Sequence, residues 1–416
     1  MAVFKPFHAV RPIPEKAAEI ASLPYDVMDS DEARLEVAKH PLSYIHVEKP
    51  EVDLPPDIDL YDERVYQKAR ENLYNYITSG LMKQDEQAMF YIYRETMDGR
   101  EQYGLVGLCS VDEYFDGTIK KHELTRSDKE TDRIKHVDTC NAHASPVFFT
   151  YRHQEGIDAI VNRIVANSQP VYDFVSDDGI GHALWLMPDS TDIQAIRDAF
   201  AAMEYLYVAD GHHRTASGAK VGTMRREQHP DYTGEEEFNH FMTVIFPDNQ
   251  LRIFDYNRVI KDLHGHSKAE FLALVGEKFE VEALNSSKPY HPEGLHRFGM
   301  YLDGVWYKLT AKPGTWDDSN VVQSLDVSIM QTNLLQPILG IHDPRKDKRI
   351  DFIGGIRGLG ELVRRVDSGR EVVAFAMYPT SMDELIAIAD AGEIMPPKST
   401  WFEPKIRSGL FIHLMD

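Results

Sequence analysis

The chain has 416 residues, 43% of them hydrophobic, with 45 basic against 67 acidic side chains and a formal charge of −22. That length predicts two domains with real cores, and the acid excess argues against nucleic acid, whose phosphates must be met by Lys and Arg. The absence of an apolar run of about 18 residues argues against a membrane span. The two cysteines, Cys109 and Cys140, fit neither a disulfide framework nor a zinc site, so a reducing, cytoplasmic setting is expected for a chain without a secretion signal.

Taken in order, the irregular start includes Leu23-Pro-Tyr-Asp-Val27, which reads as an extended segment entering a turn. Apolar Val65, Ala69, Leu73, Tyr76 and Ile77 are spaced as a helix over 62–79, with Gly80 placed to end it. Segments 89–95 and 102–111 read as a hairpin around Asp98-Gly99, and Asp116-Gly117 turns the chain into 118–123. A mixture of helix and loop over 125–200 closes with a helix over 189–203. A strand over 205–209 then runs straight into Asp210-Gly-His-His-Arg214, with a helix beginning near Thr215. A strand pair is expected at 241–246 and 251–256. A second domain is expected from residue 263, opened by a capping box at Ser267 and Glu270. Asp303-Gly304 marks another hairpin. A strand over 372–377 is followed by a capping box at Ser381 and Glu384, a helix ended by Gly392, the loop 396–400 and a last strand over 410–414. The class is α/β or α+β with mixed sheets.

The strongest local signal is the Asp210–Arg214 turn. A strand that ends in a glycine corner and enters a helix presents free N–H groups and a partial positive charge, which suit phosphate. Arg214 adds a bidentate contact, a histidine a further donor, and Asp210 a hard oxygen for Mg²⁺. The plain structural reading is an N-capping aspartate followed by packed histidines. His212 and His213 are adjacent, so at most one is expected to face the site. A second charged stretch runs from Lys120 through His122, Glu123 and Arg126 to Arg133 and His136. A carboxylate among cations suits a general base beside a phosphate donor, although such stretches are usually solvated faces. No G-x-x-x-x-G-K-[ST] and no H-E-x-x-H motif occurs. Gly354-Gly-Ile-Arg-Gly-Leu-Gly360 does not fit a dinucleotide fingerprint, which leaves turn packing or anion binding open for it.

Asp210-Gly-His-His-Arg214 after an apolar strand resembles the signature of the free serine kinases of the ParB/sulfiredoxin superfamily. His122-Glu123 resembles their His-Glu pair, 251–256 a strand with substrate contacts, and 375–400 their serine-binding segment. The whole chain also looks like a bacterial and archaeal ParB-like family of about this length. The resemblance implies a ParB/sulfiredoxin-like catalytic domain over 1–262, carrying an N-terminal extension and an insertion. It also implies a smaller α/β substrate-binding domain over 263–416 and a reaction in the cleft between the two. It implies phosphoryl transfer to free L-serine, or a similar hydroxy amino acid, from ATP, ADP or pyrophosphate with Mg²⁺. Glu123 becomes the base, with Asp210 and His213 catalytic and Asp210 on the metal. Gly211, His212, Arg214, Arg126 and Arg133 hold phosphate, while His122, Asp255, Tyr256, Lys398, Ser399 and Thr400 hold serine. The competing reading is a ParB-like nucleotide-binding regulator or DNA-partitioning protein, opposed by the acidic charge and the lack of a basic recognition helix. A sulfiredoxin-like reductase lacks a cysteine beside the Asp210–Arg214 turn, and a pure interaction protein is the remaining alternative.

Overall fold

Asp98 (φ 52°) and Gly99 (φ 76°) both adopt the left-handed backbone that a two-residue hairpin turn demands. They join the long strands Phe90–Met97 and Arg100–Ser110, the centre of a nine-stranded mixed sheet. On one side of that hairpin lie Gly181–Met187 and then Tyr172–Val175. On the other follow His240–Pro247, Val147–Tyr151, Leu206–Asp210 and Ile119–Lys120. Two pairings are parallel: His240–Pro247 with Val147–Tyr151, and Leu206–Asp210 with Ile119–Lys120. Phe4, Phe90, Phe149, Trp185, Phe200 and Phe241 are the large side chains of its core. Helix Glu63–Thr78, N-capped by Asp62, packs Ala69 and Leu73 into a second cluster with Val10, Tyr44 and Ile412.

The computed structural model describes residues 2–286 and 288–416. They fall into two units, one holding the chain up to Leu251 together with Pro404–Asp416, the other Arg252–Glu403. The expected break at residue 263 thus moves upstream, and the last residues return to the first unit. The reason is strand pairing. Tyr256–Ile260 is an inner strand, bonded by Ile350–Gly354 on one side and Val373–Ala376 on the other. The C-terminus is tied back by His413–Leu414 against Ala142–His143 and by Ile412 against Val10. The strand expected over 251–256 is also corrected. Only a bridge at Ile253 precedes Tyr256, and no pairing links this stretch to His240–Pro247.

The second unit is built on a six-stranded antiparallel sheet ordered Phe279–Ala283, Val305–Ala311, Arg297–Leu302, Val373–Ala376, Tyr256–Ile260, Ile350–Gly354. Both expected capping boxes form, at Ser267 with Glu270 and at Ser381 with Glu384. The whole is a mixed α/β fold. No helix among the described residues is long and apolar enough to cross a membrane, and both cysteines are buried and unpaired.

Candidate functional site

Strand Leu206–Asp210 is buried up to its final carboxylate, and the chain turns at Gly211 (φ 81°, ψ 34°) directly into helix His212–Gln228. The helix begins three residues before the expected Thr215, because the left-handed Gly211 itself serves as N-cap and sets His212 in helical geometry. No side chain caps that end, so its first-turn N–H groups remain available to an anion. The Asp210 carboxylate accepts from the Gly211 N–H at 2.7 Å and from Lys405 Nζ at 3.1 Å. Burial pushes Asp210 up, but Lys405 and then Arg214 more than reverse this and hold it well below the usual carboxylate range. Arg214 donates to the Pro146 carbonyl at 2.7 Å and stands 3.9 Å from the Asp26 carboxylate.

The segment after strand Ile119–Lys120 comes to this corner. One Glu123 carboxylate oxygen lies 3.7 Å from His212 Nδ1, with the Glu123 side chain 51% exposed. His122 and His212 meet edge to face, centroids 4.4 Å apart at 86°. Burial lowers His122 to about 4 and His212 well below its ordinary value, so both imidazoles are neutral at pH 7. Among the described residues neither His122 ring nitrogen, nor His212 Nε2, meets a partner in full hydrogen-bond geometry, although the Val208 backbone is close enough to raise His122 slightly. Buried polar atoms left so mark a place where another group completes the bonding.

The two adjacent histidines diverge. His212 turns to His122 and Glu123, whereas His213 Nε2 accepts from the Arg126 N–H at 3.0 Å, at the start of helix Ser127–Cys140. The Arg126 side chain is exposed and paired with Asp128 at 2.8 Å. Arg133 is turned inward, 2.8 Å from Asp132 and with its guanidinium 4.2 Å from the centre of the Tyr25 ring. Arg133, expected from sequence to hold phosphate, is thus paired with a carboxylate in this arrangement, as Arg214 is with Asp26. Glu48, buried with neither carboxylate oxygen hydrogen-bonded, adds its field to Arg133.

Lys405, Asp26, Tyr25 and Glu48 join the residues expected from sequence. Two of them, Tyr25 and Asp26, lie in the Leu23-Pro-Tyr-Asp turn, whose pattern signals a turn and not a charge site. Nothing local marks Lys405, which reaches Asp210 from 195 positions away.

The other expected residues belong to the second unit and gather there. Lys398 Nζ lies 5.4 Å from the centre of the Tyr256 ring. Ser399 is buried, its hydroxyl donating to the Pro396 carbonyl at 2.6 Å while its own carbonyl accepts from Thr380 at 3.0 Å. Thr400 is half-buried, and Asp255 accepts from the Asn257 side chain. The first two glycines of the glycine-rich run serve close packing, because a Cβ on Gly355 would stand 2.2 Å from the Asp255 carboxylate and one on Gly354 2.7 Å from the Trp401 ring, whereas Gly358 and Gly360 have open space. Among the described residues no group of three or more His, Cys, Asp or Glu side chains is arranged to hold a metal ion. Asp210 supplies an ionised hard oxygen, which suits Mg²⁺ held jointly with substrate phosphates.

No curated protein matches the chain in sequence. Among solved structures, a mutant free serine kinase in complex with AMP is 12% identical with a TM-score of 0.38, covering 73% of this chain and 91% of that one. SbnI with a C-terminal truncation, from Staphylococcus aureus, is 12% identical with a TM-score of 0.38, over 74% and 87% of the two chains. A conserved hypothetical protein from Pyrococcus furiosus is 13% identical with a TM-score of 0.36, over 74% and 94%. The model of DUF1015, described as a protein of unknown function, matches residues 4–328. With well over half of its length in that match, the chain belongs to the DUF1015 family.

Proposed function

We propose that this protein transfers a phosphoryl group to the hydroxyl of free L-serine, giving O-phospho-L-serine, with ATP, ADP or pyrophosphate as donor. The observation that carries this reading is the approach of the Glu123 carboxylate to within 3.7 Å of His212, the first helical residue after the Gly211 corner. A base and an uncapped helix terminus thereby share one place, as in-line phosphoryl transfer requires. In the reaction the serine hydroxyl gives its proton to Glu123 as its oxygen bonds to phosphorus. The bond from phosphorus to the donor's bridging oxygen breaks, and that oxygen leaves with the electron pair. Arg214, Lys405 and the first-turn N–H groups stabilise charge on the transferring oxygens. Mg²⁺, held by Asp210 together with the donor phosphates, would supply further charge neutralisation. Neutral His212 donates one N–H without competing for the proton. Acceptor binding is assigned to Lys398, Ser399 and Thr400 by the resemblance of 375–400 to the serine-binding segment of free serine kinases.

The test is incubation of the purified protein with serine, Mg²⁺ and, separately, ATP, ADP or pyrophosphate, followed by mass spectrometry for O-phosphoserine. Glu123→Gln is expected to lower turnover by about 10²–10⁴-fold, the range for loss of a general base. Its circular dichroism and donor binding should match the parent. Wild-type-like turnover in that variant removes Glu123 from the chemistry, and no product with any donor removes the reaction itself.

A further inference from the structure

Three arginines are almost wholly buried, and two of them are matched by acids. Arg365 is met by Glu371 at 2.7 Å and Asp351 at 2.7 Å, and Arg407 by Asp178. Arg258, only 3% exposed, has no carboxylate partner among the described residues. It donates to the backbone carbonyl of Tyr256 and, at 3.1 Å, to that of Lys398. The Phe352 ring centre lies 5.6 Å from its guanidinium. Carbonyl dipoles and a ring face soften a buried cation but do not neutralise it, and burial pushes Arg258 down to about 10.

This cation lines a cavity of about 310 Å³ that lies wholly within the second unit. Val327, Leu335, Phe352 and Pro396 form apolar wall, with His342 and Asp343 among the polar groups. Asp343 is already paired with Arg345 at 2.9 Å, so it does not offset Arg258. Leu335 ends a π-helical turn, Gln331–Leu335, a widened geometry that recurs at ligand sites. One unmatched fork calls for one negative charge, and a guanidinium meets a carboxylate side by side. A phosphate dianion would require a second free cation.

We infer that this cavity binds a monocarboxylate with a small apolar body, its carboxylate on Arg258 and its body against Phe352, Leu335 and Val327. The assignment rests on Arg258 and the cavity walls alone and does not depend on the phosphoryl transfer proposed above. Since Arg258 also holds the Lys398 carbonyl, a bound carboxylate would share its anchor with the 396–400 loop.

Isothermal titration of the full chain with isovalerate and with benzoate, against the neutral amides of both, tests this assignment. At least one acid is expected to bind at a single site, its amide at least tenfold more weakly, and Arg258→Met should weaken the acid at least tenfold. Arg258→Met replaces an unmatched charge by an apolar side chain and is expected to fold. Should it not, the acid-over-amide preference of the wild-type chain and the weakened binding of Arg258→Lys, which keeps the charge but loses the fork, decide the matter. Equal affinity for acid and amide, undiminished binding in the variants, or no binding of either acid overturns the assignment. So does binding of inorganic phosphate alone. The binding isotherms are read without donor or serine and O-phosphoserine is read by mass spectrometry on the wild-type chain, so the two readings fail separately.

Discussion

Arg214 in the first unit and Arg258 in the second are both enclosed arginines, and they are balanced in opposite ways. Around Arg214 the chain supplies carboxylates of its own, with Asp26 at 3.9 Å and Asp210 acting on it through its field. Around Arg258 the described residues supply two carbonyls and the face of the Phe352 ring. The same second unit also buries an acid without a cation. Asp326 is 5% exposed, and one of its carboxylate oxygens accepts from the His296 N–H at 2.8 Å while the other has no partner. A matched cluster keeps its charges at every ordinary pH and can turn them on a substrate. An unmatched group either changes its protonation or takes its partner from solution. Among the described residues the first unit thus meets its enclosed cation with carboxylates, whereas the second leaves a buried cation and a buried acid without ionic partners.

The largest stability effect expected from this contrast lies at Asp326. Burial, with a smaller push from Glu384, raises it to about 7. Its folded pKa thus lies above the unfolded value near 4, so the native state binds the extra proton. Its contribution is complete below pH 4, declines as the pH rises, and is gone above pH 7. That loss is roughly 4 kcal/mol by the linkage relation. Asp326→Asn should flatten the decline. The readout is hydrogen exchange of amides in Arg297–Leu302 between pH 4 and 8, since two units need not unfold together. An unchanged slope in the variant shows that Asp326 ionises normally.

Asp210 behaves in the reverse sense, its pKa held down by Lys405 and Arg214 against burial. Asp210→Asn is expected to lower serine phosphorylation about 100-fold, as loss of one prepared electrostatic contact does, and to raise the Mg²⁺ concentration needed. The same variant strips Lys405 of its carboxylate, so Lys405→Met in the Asp210→Asn background should recover part of any lost stability. Coupling within a charge pair is about 0.5–3 kcal/mol. Strictly additive effects would mean that the 3.1 Å contact contributes nothing.

The sequence made legible those elements whose local chemistry and burial agree. Helix Glu63–Thr78 shows apolar spacing and an aspartate N-cap, and the hairpins at Asp98-Gly99 and Asp303-Gly304 carry their turn residues. Helix Ser127–Cys140 was hidden because its buried residues are Glu130, Asp132, His136 and Cys140, a mostly polar face with no apolar stripe. The polarity that concealed the helix is what brings charge to the site. Glu123 and His212 lie in two motifs 89 positions apart, and the fold brings them within 3.7 Å. Lys405 and Asp26 stayed hidden because long-range pairing of single charges leaves no local pattern. The domain break lies upstream of the expected one for a related reason, since Tyr256–Ile260 chooses its sheet through partners 90 or more residues downstream.

The smallest expected effect is at the corner itself. Gly211 holds a left-handed backbone at φ 81°, which costs a residue with a Cβ about 1–2 kcal/mol. An added Cβ would stand 3.3 Å from three atoms of the Arg214 guanidinium group, so that side chain must shift by a few tenths of an ångström. Gly117 offers the control, with φ 87° in the same unit and nothing within 4 Å of an added Cβ. Gly211→Ala and Gly117→Ala should therefore lose similar stability on thermal unfolding. Only Gly211→Ala should raise the KM for the phosphate donor, by several-fold, because only there does strain reach an arginine proposed to hold phosphate. Equal donor KM in the two variants would detach Arg214 from donor binding and leave the turn a purely structural corner.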